Sequence, residues 1–476
     1  MNRRIFWIVL IALGLPVLLR VLWYFPGFVF PRAIATPDYT SMKMPEAPVS
    51  TPHAAEVKQA GGTVVIDYAH SNQFQLSEIQ SLTDSLTQRG GHFVLNSDPT
   101  TLAGQLKSAS SYVVISPSLP FTPAELSLVE GFVGRGGRLA VFTDATRGVL
   151  SYDFLGNPVA NLPDVVAANP LLEPFGISVN SDYLYDLDHN EGNFRNVFMT
   201  ISGKSVLTSG VARVAFYGVH SLETLSGSAL LVGGGTTLSS STDALPADQA
   251  QKGWPAAVIS KDGNVLALGD FTFLSAPYDA VADNAVLISN IADFLLSSSR
   301  GIALADYPFL FRGNSVSLLP TSKVQMTAEI TGGLSKLQAE FAATGVELKV
   351  VEQAPSKGDL IVLGTYSPTD DLDGYIKSFG LTADDLGDYI KIAPFGKIGQ
   401  SGNGLLLFSP GETGNTLVVL AASTEDLTSL LESLATSDLS GCLVQGNEAA
   451  CSVGFGGSFN ETTPTPEATP TAVGSG

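Results

Sequence analysis

Hydrophobic and polar positions fall into three regimes along the chain. Ile5 to Leu19 (IFWIVLIALGLPVLL) is uncharged and continuously apolar; Arg20 interrupts it and Val21 to Phe30 continue it. A bilayer span needs about 20 such residues, so residues 1–31 read as a transmembrane anchor with a short cytoplasmic start. Arg3 and Arg4 precede the span, which places the N-terminus in the cytoplasm and the bulk of the chain extracytoplasmic. Arg20 snorkels to an interface, and Trp23, Tyr24 and Phe25 form the far aromatic belt. Ala33-Ile34-Ala35 keeps a second reading open, a cleaved signal peptide. Residues 32–61, rich in Pro, Ser, Thr and Ala, read as a spacer.

Beyond residue 61 the pattern changes to short β-branched runs separated by amphipathic stretches. Thr63 to Asp67 (TVVID) is the first expected strand. Ser77 opens a helix with Ile79, Leu82 and Leu86 on one face; Arg89-Gly90-Gly91 ends it, and His92 to Leu95 form the next strand. The clearest unit runs from Tyr112 to Asp144. Tyr112 to Ile115 is an apolar run suited to a strand covered on both faces. Thr122 caps a helix, Pro123 takes its first position, and Glu125 completes a capping box. Gly136-Gly137 stops that helix before the strand Leu139 to Phe142. Successive βαβ units predict a parallel sheet covered by helices.

From Gly148 to Asp262 the pattern loosens into irregular loops with short strands near 211–217 and 229–232. Lys261-Asp262-Gly263-Asn264 signals a hairpin, and Asn284 to Leu296 reads as a closing helix. Residues 62–297 thus form one α/β domain. Ser297 to Gly301 marks a boundary, and 302–456 form a smaller α/β domain with strands near 346–351, 359–364, 405–409 and 416–421. Ser423 caps a helix there. The Thr/Pro tail, 457–476, is expected to be disordered.

Composition narrows the function classes. Across 476 residues, 45 acidic side chains against 25 basic ones give a formal charge of -20, which argues against nucleic acid as a partner. The only cysteines, Cys442 and Cys451, lie near the C-terminus, so nothing before them is a catalytic thiol; outside the cytoplasm they pair as a disulfide.

Several motifs occur in order: Asp67-x-x-His70 after the first strand, the capped helix ending in Gly-Gly, SVLTSGVARV, and LALGDFTFLSAPYDAVADNAVLISNIADFL. In that order they resemble an uncharacterised membrane-anchored bacterial family with a class I glutamine amidotransferase-like domain, similar to GldG-type auxiliary proteins of gliding-motility ABC transporters. The resemblance spans roughly 62–296. It implies a flavodoxin-like core and no established activity. Active amidotransferases carry a Cys elbow after the strand equivalent to Leu139 to Phe142; here that position reads Thr143-Asp144-Ala145-Thr146. Without an activated thiolate, glutaminase chemistry is not expected.

In open parallel sheets ligands gather at the carboxyl ends of strands. Those ends carry Asp67, His70 and Asn72; Ser116 and Ser118; Thr143 and Asp144; and Asp270. Two readings compete. Asp67, His70, Asn72, Ser116, Asp144 and Asp270 line a ligand pocket, with a His-carboxylate metal or acid/base set as the sharper version, or they fasten loops and helices through backbone hydrogen bonds. Asp186, Asp188, Asn190 and Glu191 (DLDHNEGN) resemble a loose calcium loop but lack the spacing of a complete one. His189 and His220 are expected at the surface, and Gly233-Gly234-Gly235 is no P-loop. The sequence therefore points to a non-catalytic, single-pass, extracytoplasmic binding or assembly protein, without cofactor or resident metal, serving a transporter or envelope complex through a protein partner or surface glycan. The alternative is a hydrolase, metal-dependent or not, using the carboxyl-end cluster.

Overall fold

The computed structural model describes residues 2–24, 60–241 and 253–453, apart from 148, 153, 157, 162, 368, 369, 388, 394 and 438. The spacer at 32–61 (its last two residues excepted), Phe25, Ala33-Ile34-Ala35 and the tail at 457–476 lie outside the described residues. Helix α1 (Arg3–Tyr24) has 22 residues, and its Arg3–Val21 stretch has a mean hydropathy of 2.1. It is long and apolar enough to cross a membrane, a test that a signal sequence also passes.

The first body is built on nine strands: β1 (Thr63–Asp67), β2 (His92–Asn96), β3 (Ser111–Ile115), β4 (Arg138–Phe142), β5 (Asn196–Ile201), β6 (Arg213–Tyr217), β7 (Ser228–Gly233), β8 (Pro255–Ile259) and β9 (Val265–Leu268). Their order across the sheet is β6-β5-β7-β8-β9-β4-β3-β1-β2. The run β9-β4-β3-β1-β2 is parallel and has the flavodoxin-like layout. The rest is antiparallel, so the sheet is mixed rather than wholly parallel. The turn at 260–264 is the local cause: a connection that short can only reverse the chain, which sets β8 antiparallel to β9.

Alternation along the central strands sorts the core into two layers. Val64 and Ile66 face one side, with Leu82 and Leu86 of α2 (Gln80–Gln88) and Leu287 and Ile291 of the helix Asn284–Leu296. Val65 faces the other, with Leu102 of α3 (Leu102–Leu106), Val129 and Phe132 of α4 (Pro123–Gly134), and Leu171 of α5 (Pro163–Leu172). Fully burying each such side chain contributes about 1.5–3 kcal/mol. The α4 cap forms as expected: the Thr122 hydroxyl accepts from the Glu125 N–H, and Glu125 accepts from the Thr122 N–H at 2.7 Å. At the helix exit Gly136 has φ +93°, and a Cβ on Gly137 would strike the Phe132 ring.

The second sheet has seven strands, in the order Glu347–Val350, Ser315–Pro320, Asp359–Thr365, Thr416–Ala421, Asn403–Ser409, Glu448–Ser452 and Cys442–Gln445. The first four are parallel and the last three join antiparallel. Ala328–Ala343 and Thr424–Ala435 cover one face; Asp370–Ile376 packs on the other. Ser423 caps its helix by accepting from the Asp426 N–H at 3.1 Å. Cys442 and Cys451 form a disulfide across the paired terminal strands. The protein is thus α/β, a flavodoxin-like sheet followed by a smaller α/β sheet.

Candidate functional site at the carboxyl edge

The strand order turns back at β1 and β3, the point where doubly wound sheets open a crevice. Asp67 ends β1 and is fully buried. Its Oδ1 accepts from the Tyr112 hydroxyl at 2.9 Å and from Asn96 Nδ2 at 3.4 Å, and its Oδ2 meets His70 Nδ1 at 2.9 Å. The other ring nitrogen of His70 lies 3.3 Å from Glu125 Oε1, and the ring stacks on Phe121 with centroids 3.6 Å apart. His70 therefore sits between two carboxylates. Burial alone pulls the imidazole pKa down, but the hydrogen bond and charge of Asp67, then Glu125, outweigh it and hold His70 above its ordinary value. Burial first, then the charge and hydrogen bond of the same Asp67, push the Tyr112 phenol well up. Asn72 fastens the loop, accepting from the His70 N–H at 3.1 Å and donating to the Ile115 carbonyl at 2.9 Å.

A second group gathers behind β4 and β9. Asp144 and Asp270 are both fully buried, and Asp144 lies near enough for its charge to act on Asp270. Burial first, then the charge of Asp144, holds Asp270 well above the usual carboxylate range; burial likewise raises Asp144 against the pull of Thr146, Thr272 and Arg147. Asp270 accepts from the Tyr217 N–H at 2.8 Å and the Thr272 N–H at 2.9 Å. Asp144 accepts from Thr146 through its N–H at 2.8 Å and from the Thr272 hydroxyl at 2.6 Å. Ser116 leaves β3 with φ +40°, a strained conformation for a side chain with a Cβ. Its hydroxyl meets Asp164 Oδ2 at 3.5 Å, and that oxygen also accepts from the Asp144 N–H at 2.9 Å. His220 lies 3.7 Å beyond, at Asp164 Oδ2, and neither ring nitrogen has a hydrogen-bond partner.

The expected site residues therefore divide into two sets. Asp67, His70 and Asn72 form one; Ser116, Asp144 and Asp270 belong to the other; no hydrogen bond or ion pair joins His70 to Asp144 or Asp270 among the described residues. His220, expected at the surface, is fully buried, because its backbone N–H bonds to the Gly269 carbonyl just past β9 and draws the residue inside. His189 is exposed. Glu125 enters the first set although its sequence context signals only a helix cap. Asp164 and Arg195 come from the loosely patterned region, where no periodicity marks them. In the acidic loop, Asp186 accepts from the N–H groups of Asp188 and His189 and from the hydroxyls of Thr236 and Thr237, so its lone pairs face donors. Among the described residues no group of three or more His, Cys, Asp or Glu side chains is arranged to hold a metal ion.

Outside the buried carboxyls lies an open cleft of about 500 Å³, lined by Glu78, Arg147, Arg195, Tyr217 and Tyr278 among others. Antiparallel pairing brings its far wall to this edge: Tyr217, ending β6, faces Asn196, starting β5. Arg147 pairs with Glu78 at 2.5 Å and stacks over Phe271. Arg195 stacks over Tyr183, and no carboxylate among the described residues pairs with it.

No protein-family model matches this chain, and no curated protein matches its sequence at a significant level. Solved structures do match. The mmIFT52 N-terminal domain is 15% identical, with a TM-score of 0.39, over 50% of this chain and 99% of that one. A ThuA-like protein from Bacteroides uniformis is 11% identical, with a TM-score of 0.32, over 52% and 97%. The glutaminase domain of Trypanosoma brucei CTPS, with bound acivicin, is 9% identical, with a TM-score of 0.27, over 49% and 93%. Likenesses this distant carry no argument about activity.

Proposed function

We propose that this chain is a non-catalytic binding protein, held at a membrane by α1 with both α/β bodies extracytoplasmic, serving a transporter or cell-envelope assembly through a protein or glycan partner. The observation that carries the reading is how the carboxyl-edge polar groups are used. Asp67, Asp144, Asp164 and Asp270 each accept from N–H or O–H groups of their own fold. Catalysis by a hydroxyl or thiol nucleophile needs a free base in reach. The carboxylate oxygen nearest the Ser116 hydroxyl, Asp164 Oδ2 at 3.5 Å, is already held by the Asp144 N–H, both nitrogens of His70 face carboxylates, and both cysteines are bonded to each other. The disulfide suits an oxidising compartment, and α1 has the length and apolarity of an anchor.

The test has two arms. The chain should stay with membranes through an alkaline carbonate wash, lose that association when residues 1–31 are removed, and be cut by protease added outside intact cells. The purified full chain, offered glutamine, esters, peptides and glycosides, should turn none of them over. Release by carbonate sinks the tether. Turnover abolished by Ser116→Ala or Asp270→Asn sinks the non-catalytic reading.

A further inference from the structure

The cleft beside the carboxyl pair has a chemistry of its own. Its walls are polar and aromatic together: Tyr278 is 37% exposed and packs on Tyr217 with ring centroids 4.2 Å apart. Such rings offer an apolar face with a polar tip. Arg195 is held by Tyr183, whose ring centroid lies 4.2 Å from its guanidinium carbon; its Nε is buried, so its terminal nitrogens are the donors it brings to the cleft wall. Asn193 stands exposed beside it, bonded to it only through the Arg195 N–H. The volume lies within the range of small-molecule sites, about 300–1,000 Å³.

Charge decides the ligand class. Arg147 is matched by Glu78 and by Asp144 behind it. Glu191 accepts from Asn196 and lies beside the Tyr217 hydroxyl, so the surroundings of Arg195 are not strongly positive either. A phosphate or other dianion would gain little net attraction there. A ring with one apolar face and several hydroxyls meets every group present.

We propose that this cleft is a carbohydrate-binding site that takes a neutral, hydroxyl-bearing sugar ring, one face against Tyr278 and its hydroxyls on Arg195 and Asn193. The proposal rests on the binding-protein reading above and names the partner class of that fold edge.

The test uses the full chain in a detergent without sugar headgroups, first on an array of neutral, amino and acidic saccharides, then by titration of any saccharide retained. A neutral saccharide should bind saturably. Tyr278→Ala and Arg195→Leu should each weaken it about tenfold or more. Tyr278→Phe, which keeps the ring, should bind within about threefold of the parent. Arg195→Lys, which keeps the charge but not the fork, should resemble Arg195→Leu, with unchanged melting to show that each variant folds. Retention of no saccharide, of acidic saccharides alone, or of a saccharide bound equally by Tyr278→Ala and Arg195→Leu overturns the proposal. Cleavage of the bound sugar leaves the site standing and overturns the non-catalytic reading instead.

Discussion

The two sheets share an architecture and place their buried acids at opposite edges. In the first, Asp67, Asp144 and Asp270 follow the carboxyl ends of β1, β4 and β9. In the second, Asp359 opens its strand and lies at the amino edge, where it accepts from the N–H groups of Arg312, Gly313 and Asn415 at 2.7–2.8 Å. Both sets fasten loops. The carboxyl edge of the first sheet also faces the crevice that a doubly wound sheet opens, and there arginine and tyrosine side chains line a cleft next to the fastened acids. The same device thus fastens loops at one edge, and at the other it also backs the wall of a cleft.

The largest effect should come from the amino edge. Asp359→Ala leaves the buried Asn415 N–H without an acceptor and frees those of the exposed Arg312 and Gly313, and should cost about 3 kcal/mol by denaturant unfolding. Any saccharide binding found for the first sheet should survive; a smaller loss than that of Asp67→Ala would break the contrast. Cys442→Ser opens a loop closed over a separation of 9 residues and should cost about 2.5 kcal/mol, seen only under oxidising conditions.

His70→Gln should cost about 1–2 kcal/mol near pH 6. Here the sign of the pH dependence sharpens the comparison. The pKa of His70 is raised in the fold, so its contribution is complete below the unfolded value of about 6.5 and fades as pH rises through the folded value. The gap between parent and variant should narrow on going alkaline; a gap that widens excludes a protonated imidazole between Asp67 and Glu125.

The smallest effect is expected from Asp144→Asn, within about 1 kcal/mol at pH 4. The folded carboxyl pair keeps a proton that the unfolded chain releases near pH 4, so the parent loses stability as pH rises from there towards the folded value. The variant should lose less over that interval, as melting curves across pH would show; an identical slope would mean that Asp144 neither titrates high itself nor raises Asp270.

Much of the fold was legible because its signals are local. The Thr122 cap with Glu125, the Gly136-Gly137 stop, the 63–67 strand and the hairpin at 260–264 each depend on a few neighbouring residues, and each forms where the pattern placed it. Of the antiparallel half of the first sheet, the strands near 211–217 and 229–232 were legible, but β5 and the pairing order were not, since irregular loops separate these strands and no local signal says which becomes whose neighbour. The site was legible as an edge but not as a constellation: strand-end residues could be named, and their partners could not.

The sequence by itself determined the apolar helix of membrane-spanning length, the alternation that sorts the core into two layers, the helix caps, and the absence of any cysteine before Cys442. Those follow from residue type and spacing, which act over a few positions. Only the tertiary structure decided that His70 lies between Asp67 and Glu125, that Asp144 meets Asp270 across a separation of more than a hundred residues, and that Arg195 and Tyr278 share a cleft. Contacts of that kind depend on strand order and register, and the periodicity of a segment holds no information about which strand becomes its neighbour.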